Sequence, residues 1–471
     1  MDDHGAHLEA TASAASTIDS SLASSSIHFT RRKSLSSSVG VCQLPRRFRL
    51  IRIASTTLTA PRRVKSNDST RTEGSIMRQR HAKWVLPEWP AVDDAAFASG
   101  KLKLHLLRLD LDPTTLPSDV LCHLALEMFI SAGLPVGFAE YRVRRFILAV
   151  RASMLDNPYH NFYHAFDVMQ TTNALATATG TMARLVAWER FALLSAALCH
   201  DMEHPGVTSQ FLSKEAGNAT RGKYRYIILR DTLLEKHHAL RALEFMCDKD
   251  VGVFEGLSSA QYCQCRSSVL DIILATDMSR HGDYLEHLQE FAARRAENPA
   301  VEMDKQLAMQ LMVKCADISN VAKPTAVARR WAMRVTDEFF LQGDAERAMG
   351  MEVSPSCDSF STSRVAVQRR FIDDRAAPLF TLLAAAFPPV WNGPGQSPPR
   401  PGGLEALLAQ LRHNRALYAR CSDLDLEGAR DWGETDSRVA PFSLRAESQP
   451  GFSDEGFARR VSSVSWSDVQ S

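Results

Sequence analysis

FALLSAALCHDMEHPGV, residues 191–207, decides the fold. Phe191 to Cys199 is an almost unbroken apolar run. It is long enough for a buried helix and well short of the roughly 18–20 residues that cross a membrane. At its end stand His200, Asp201 and His204, and Pro205-Gly206 stops the helix. A core helix that delivers imidazole and carboxylate together is the reading to test against the rest of the chain.

Outward from this stretch the pattern stays helical from about Trp84 to Phe387. SDVLCHLALEMFISAG (118–133) has Ser118 as its expected N-cap and Gly133 as its stop. YRVRRFILAVRASML, RALEFM, VLDIILATDM, KQLAMQLMVKCADI and RRWAMRVTDEFFLQG all read as amphipathic or buried helices. Alternating strand patterns joined by Asn-Gly or Asp-Gly turns are absent. The fold class is therefore all-α. FPPVWNGPGQSPPRPGG (387–403) reads as a Pro/Gly loop, and LEALLAQLRHNRALYARC (404–421) as one more helix. There is no internal repeat.

The bulk numbers exclude several function classes. Of 471 residues, 45% are apolar and 23% charged, as in an ordinary globular protein. A formal charge of +1 gives no pull toward nucleic acid or an anionic membrane. Nine cysteines without CxxC spacing read as reduced, intracellular thiols. Residues 1–82 are rich in Ser and Arg and read as a disordered tail, as does 423–471, leaving 83–422 as the domain. Residues 25–65 also suit an organelle transit peptide, but Asp2, Asp3 and Glu9 argue against it; a cytoplasmic location and no transmembrane segment are expected.

YHNFYHAFDV (159–168) sets His160 and His164 four apart. KCADISN puts Asp317 in an apolar helix, where an isolated carboxylate is costly unless paired or on a metal. LATDMSRH adds Thr276 and Asp277, and LLEKHH adds Glu235, His237 and His238. Each has a bland reading by itself. An HxxxH pair on a helix can be packing, and a buried Asp can be a cap. Together, His, then His-Asp, then Asp, each at an apolar helix, follow the ligand order of the HD-type metal phosphohydrolases. Neutral imidazole and carboxylate suit Zn²⁺ and Mg²⁺ or Mn²⁺.

The set is narrower still. NPYHNFYHAFDV, CHDMEHPGV, ILATDMSRH, CADISN, EFFLQGDAER, SPSCD and QRRFID resemble, in order and rough spacing, the class I cyclic nucleotide phosphodiesterase catalytic domain, from about residue 85 to about 422. The resemblance implies a compact multi-helix domain with a binuclear metal site in a deep pocket. It implies zinc held by His164, His200, Asp201 and Asp317, with Asp201 bridging to a second ion, Mg²⁺ or Mn²⁺. His204, Glu235 and Thr276 match the groups around that ion's waters. A hydroxide shared by the metals would attack phosphorus, and His160 would protonate the leaving 3′ oxygen. Tyr159 matches an active-site tyrosine, Gln368 the purine-reading glutamine, and Phe371 and Val335 the residues on the two faces of the base. Asn320 occurs in adenine-preferring members and in some guanine-preferring ones; the reading leans to cyclic AMP.

Three departures stand out. Arg370 replaces a frequent Gly before the clamp Phe. The loop in 211–238 is longer than usual, with RYIILRD in place of a Tyr-Asn-Asp stretch. Lys236 replaces an Asn and is expected to face solvent. Each tail also carries two arginines, one residue and a serine, RRKSL with Ser34 and RRVSS with Ser462, a pattern that cyclic-AMP-dependent kinase reads. The competing expectations are an HD hydrolase acting on another nucleotide and a silent nucleotide-binding domain. Oligomeric state is not legible.

Overall fold

The structure, a computed structural model, describes residues 86–92, 105–213, 233–387 and 403–428. The tail regions with Ser34 and Ser462, the RYIILRD stretch and most of the 387–403 loop lie outside them. The described residues contain no strand. Twelve longer helices carry the architecture: α1 Ser118–Ser131, α2 Glu140–Ser153, α3 Phe162–Ala178, α4 Ala187–Cys199, α5 Leu233–Cys247, α6 Ser259–Leu274, α7 His281–Glu297, α8 Lys305–Asp317, α9 Thr325–Ala348, α10 Arg364–Phe371, α11 Ala377–Ala386 and α12 Leu404–Tyr418.

At the centre are α3, α4 and α8. Every residue of α3 from His164 to Ala176 is buried, as is every residue of α4 from Phe191 to Cys199. A helix enclosed on all sides cannot show a clean amphipathic stripe. That is why FALLSAALC reads as a run and not as a period. Helix α3 packs against α4 and α8, and α4 against α6, which in turn meets α5. Each buried Leu or Phe contributes about 1.5–3 kcal/mol of transfer free energy.

Several polar residues inside α3 find partners on other segments. Lys323 Nζ donates to Asp167 Oδ1 at 3.0 Å and to Thr171 Oγ1 at 2.8 Å. Gln170 Nε2 donates to the carbonyls of Leu106 and Arg108 at 3.0 and 2.8 Å. No helix among the described residues is long and apolar enough to cross a membrane. The eight cysteines among them are free thiols.

Two boundaries differ from expectation. Ser118 is the first residue of α1, not its cap; Pro117 occupies the cap position, with no side-chain hydrogen bond. Gly133 does end the helix, at φ +80°. Helical structure also continues past 422. Asp423–Glu427 forms a short helix whose Leu426 is fully buried. Polar composition hid this, because a single leucine anchors the segment.

Candidate active site

His160 and His164 do not share a helix face. Asn161 caps α3: its side chain accepts from the backbone N–H of Tyr163 at 2.9 Å and of His164 at 3.4 Å. His160 lies just outside the helix and His164 in its first turn. The cap therefore sets their separation, and Asn161 between them has a structural job.

The HDMEH stretch is a tight turn beyond α4. His200 is the helix's C-cap, Met202 N–H donates to Cys199 O and His204 N–H to Asp201 O, both at 3.1 Å. Glu203 takes φ +58°, the left-handed region that costs a non-glycine residue about 1–2 kcal/mol. Its carboxylate is held by His237 Nε2 at 2.9 Å and Arg241 at 3.0 Å. Gly206, at φ +72°, lies against Asn157, where a Cβ would come within 2.9 Å of the amide oxygen. Asn157 in turn donates to the carbonyls of His160 and His204 at 2.9 and 2.7 Å. One amide so ties the two segments that supply the site's histidines.

The four expected ligands converge. One ligand atom from each of His164, His200, Asp201 and Asp317 lies within 4.8 Å of the others. His200 Nε2 is 3.1 Å from Asp201 Oδ2 and 3.2 Å from Asp317 Oδ1; His164 Nε2 is 3.4 and 3.3 Å from the same atoms. His200 Nδ1–H donates to Ala197 O at 2.9 Å, which turns Nε2 toward the carboxylates. His164 Nε2 is buried with no hydrogen-bond partner. A buried nitrogen without a partner, aimed at two carboxylates, fits a divalent cation. Burial opposes ionisation of Asp201 and Asp317, but His200 and its neighbours hold both carboxyls below the usual range. The two carboxylates keep 14% and 19% of their side-chain surface and His160 keeps 21%, so the cluster is open on that side.

His160 faces Asp201 Oδ2 at 3.9 Å through Nε2. Its Nδ1 makes a short bond to Glu338 Oε1. Glu338 Oε2 accepts the backbone N–H groups of Tyr159 and His160 at 2.9 and 3.0 Å. Burial would lower the His160 pKa, but Glu338 and Asp201 raise it to about 9. His204 stacks on His160 with ring centroids 3.8 Å apart. Burial and the His160 charge push His204 well down, and its Nδ1 accepts the Gly206 N–H at 3.0 Å. Tyr159 is buried between His160, His164 and Trp331.

Asp201 points two ways. Its Oδ2 faces the cluster just described, while Oδ1 lies 3.7 Å from His238 Nε2. His238 Nδ1–H donates to Met202 O at 2.6 Å, leaving Nε2 buried and without a hydrogen bond. Glu235 heads α5; burial, with Asp277, Asp201 and Asp317 nearby, pushes its carboxyl up to about 7. Thr276 is buried and donates to Ile273 O at 2.8 Å. Lys314, fully buried one turn before Asp317, donates to the carbonyls of Ala275 and Asp277, both at 3.0 Å, and so pins the loop that carries Thr276.

The expected base pocket lies on neighbouring elements. Val335 is on α9, beside buried Trp331 and Tyr159. Gln368, 3% exposed, and Phe371 are on α10. Asn320 is buried in the turn Ser319–Ala322. That turn packs against α9 and against Ile372–Ala376, a π-helical turn directly after Phe371. Arg370 faces solvent and pairs with Asp374 at 3.2 Å, so the missing Gly leaves no bulk in the wall. Lys236, expected to face solvent, is half-buried.

Glu338 escaped the sequence reading. Asp337 and Glu338 are adjacent acids on one helix, and composition does not say which turns inward. The spacing could have: Glu338 lies seven residues after Trp331, hence on the same face. His238 was noticed without a role.

Residues 159–392 match the family model described as 3′5′-cyclic nucleotide phosphodiesterase. The chain is 35% identical over 269 residues to the 3′,5′-cyclic-nucleotide phosphodiesterase regA of Dictyostelium discoideum, covering 56% of this chain and 33% of that protein. It is 33% identical over 281 residues to the rat (Rattus norvegicus) 3′,5′-cyclic-AMP phosphodiesterase 4C, covering 58% and 49%. The aligned part thus spans between a third and a half of these relatives. Among solved structures, LmjPDEB1 in complex with IBMX matches at 29% identity and a TM-score of 0.57, over 67% of this chain and 92% of that one. The phosphodiesterase domain of the RhoPDE fusion protein from the choanoflagellate Salpingoeca rosetta matches at 26% identity and 0.57, over 68% and 96%.

Proposed function

We propose, for a chain whose residues 159–392 match the model of the 3′5′-cyclic nucleotide phosphodiesterase family, metal-dependent hydrolysis of a 3′,5′-cyclic nucleotide to the nucleoside 5′-monophosphate. The observation that carries this reading is the four-ligand cluster with His160 beside it, close to Asp201 and backed by Glu338.

His164, His200, Asp201 and Asp317 would hold one divalent ion, and the second oxygen of Asp201 would face another. We assign these as Zn²⁺ and Mg²⁺ or Mn²⁺ on donor chemistry: imidazole nitrogen for the first, oxygen for the second. Such a pair activates water and neutralises phosphate charge when bound.

The remaining work falls to protein groups. Hydrolysis forms a bond from water oxygen to phosphorus and breaks the bond from phosphorus to the 3′ oxygen. The departing oxygen needs a proton. His160 Nε2–H would give it, because Glu338 keeps the ring protonated and His204 stacks on its face. Glu338 stays ionised throughout, since its other oxygen already accepts two backbone N–H groups. Val335 and Phe371 would sandwich the purine, and Gln368 would bond its edge.

Cyclic AMP is the favoured substrate in this proposal. Asn320 supports it, as does the similarity to relatives named as cyclic-AMP phosphodiesterases. A cytoplasmic site of action belongs to the same proposal and is read by cell fractionation. The direct test is hydrolysis of cyclic AMP and cyclic GMP, side by side, with Mg²⁺ and with a chelator. Chelator-sensitive turnover favouring cyclic AMP is expected. Turnover of neither nucleotide would overturn the reading.

A further inference from the structure

Helix α10 has only two turns, yet it carries Gln368 and Phe371. Its first turn leaves N–H groups that need acceptors. Ser363 Oγ takes one, from Ala366 N–H at 3.2 Å. Two more are taken from far along the chain: Asp423 Oδ2 accepts Arg364 N–H at 3.1 Å, and Oδ1 accepts Val365 N–H at 2.9 Å. The Ser363 hydroxyl also donates to Asp423 Oδ1, at 2.9 Å. A carboxylate there meets the positive end of the helix.

The segment that brings Asp423 is itself anchored. Leu426 is fully buried. Arg329, on α9, donates to the carbonyls of Leu426 and Gly428 at 2.5 and 2.9 Å. Arg364, heading α10, pairs with Glu427 at 3.1 Å and with Asp337 of α9 at 2.7 Å. So residues 422–428 tie α9, which carries Val335, to α10, which carries Gln368 and Phe371. The match to the family model ends at 392, before this segment.

We infer that residues 422–428 are a strap that sets the spacing of the base pocket's two walls, with Asp423 as its positioning residue. Gln368 lies one turn beyond Arg364, so a freed first turn of α10 would loosen the glutamine's aim. The inference rests on the base-reading role proposed above.

The test compares the full chain with Asp423→Ala and Asp423→Asn. Asp423→Ala should raise KM for cyclic nucleotides about fivefold, the size of a lost cap of about 1 kcal/mol. The kcat, metal content and Mg²⁺ dependence should stay as in the parent. Asp423→Asn keeps one accepting oxygen and should fall between. A merely structural role would lower the thermal midpoint and the active fraction while leaving KM unchanged, and that result overturns the inference. Amide exchange gives a second readout: Arg364 and Val365 should lose protection in Asp423→Ala while α3 and α8 do not. Unchanged exchange in α10 would equally overturn it. If the parent hydrolyses neither nucleotide, the functional reading fails separately, and exchange alone decides whether Asp423 holds α10.

Discussion

Replacing Glu338 by Gln tests the proton donor most sharply. The carboxylate makes three contacts: Oε1 with His160 Nδ1, and Oε2 with two backbone N–H groups at 2.9 and 3.0 Å. An amide has one acceptor oxygen. The backbone pair, two donors, will claim it, and the NH₂ must then face His160 Nδ1. That nitrogen can no longer carry a proton, so the ring stays neutral and Nε2–H becomes a poor acid. One charge-assisted hydrogen bond, about 1.5–3 kcal/mol, corresponds to a loss of roughly 10- to 150-fold. Complete loss of general-acid catalysis would extend this to about 10²–10⁴-fold. The assay is steady-state hydrolysis of cyclic AMP, with metal content measured alongside. Expected are a kcat lowered by at least about tenfold and unchanged bound metal. A phosphodiester with a p-nitrophenolate leaving group, which needs no proton, should lose far less. Retention of kcat within about threefold, or an equal loss on both substrates, would refute the assignment.

Further outcomes follow from the same geometry. Asp317→Ala should lose bound metal and turnover together, whereas His160→Ala should keep the metal and lose most turnover; elemental analysis beside kinetics separates them. Gly206→Ala should destabilise by about 1–3 kcal/mol, because φ +72° and the 2.9 Å approach to Asn157 both oppose a Cβ, and chemical denaturation reads it. Lys314→Met should strand the buried carbonyl of Ala275, an unmet acceptor costing about 1–3 kcal/mol, and leave the Asp277 carbonyl only the Arg280 N–H at 3.3 Å; it should weaken activation by added Mg²⁺ more than it alters the metal held by His164, His200, Asp201 and Asp317.

The convergence of His164, His200, Asp201 and Asp317 was legible because their chemistry conflicts with their surroundings. Asp317 after Cys315-Ala316, and His200-Asp201 after an apolar run, make sense only with a partner that sequence can guess by type. The helices were legible for the same reason: α4 and α8 must bury what they carry. What stayed hidden depends on distance along the chain or on direction around a helix. Glu338 looked like half of an acidic pair until Trp331 fixed its face. Asp423 looked like part of a polar tail, because its partners Arg364 and Val365 precede it by 59 and 58 residues. Arg370 drew suspicion as a pocket residue, yet its side chain points to solvent. The spacing of His160 and His164 was seen, but not that a cap lies between them.

The bond between His160 and Glu338 joins residues 178 positions apart. Closing so long a loop costs chain entropy, and contacts of this range form slowly. Helices such as α3 and α4 can form from local interactions within microseconds. His160, in contrast, acquires its partner Glu338 only when α9 docks onto the segment before α3. During refolding, helical signal should therefore return well before catalytic activity, with metal capture by His164, His200 and Asp201 awaiting Asp317. Under the proposed function, activity would report this long-range docking step, and a chain that is fully helical by circular dichroism could still be catalytically silent.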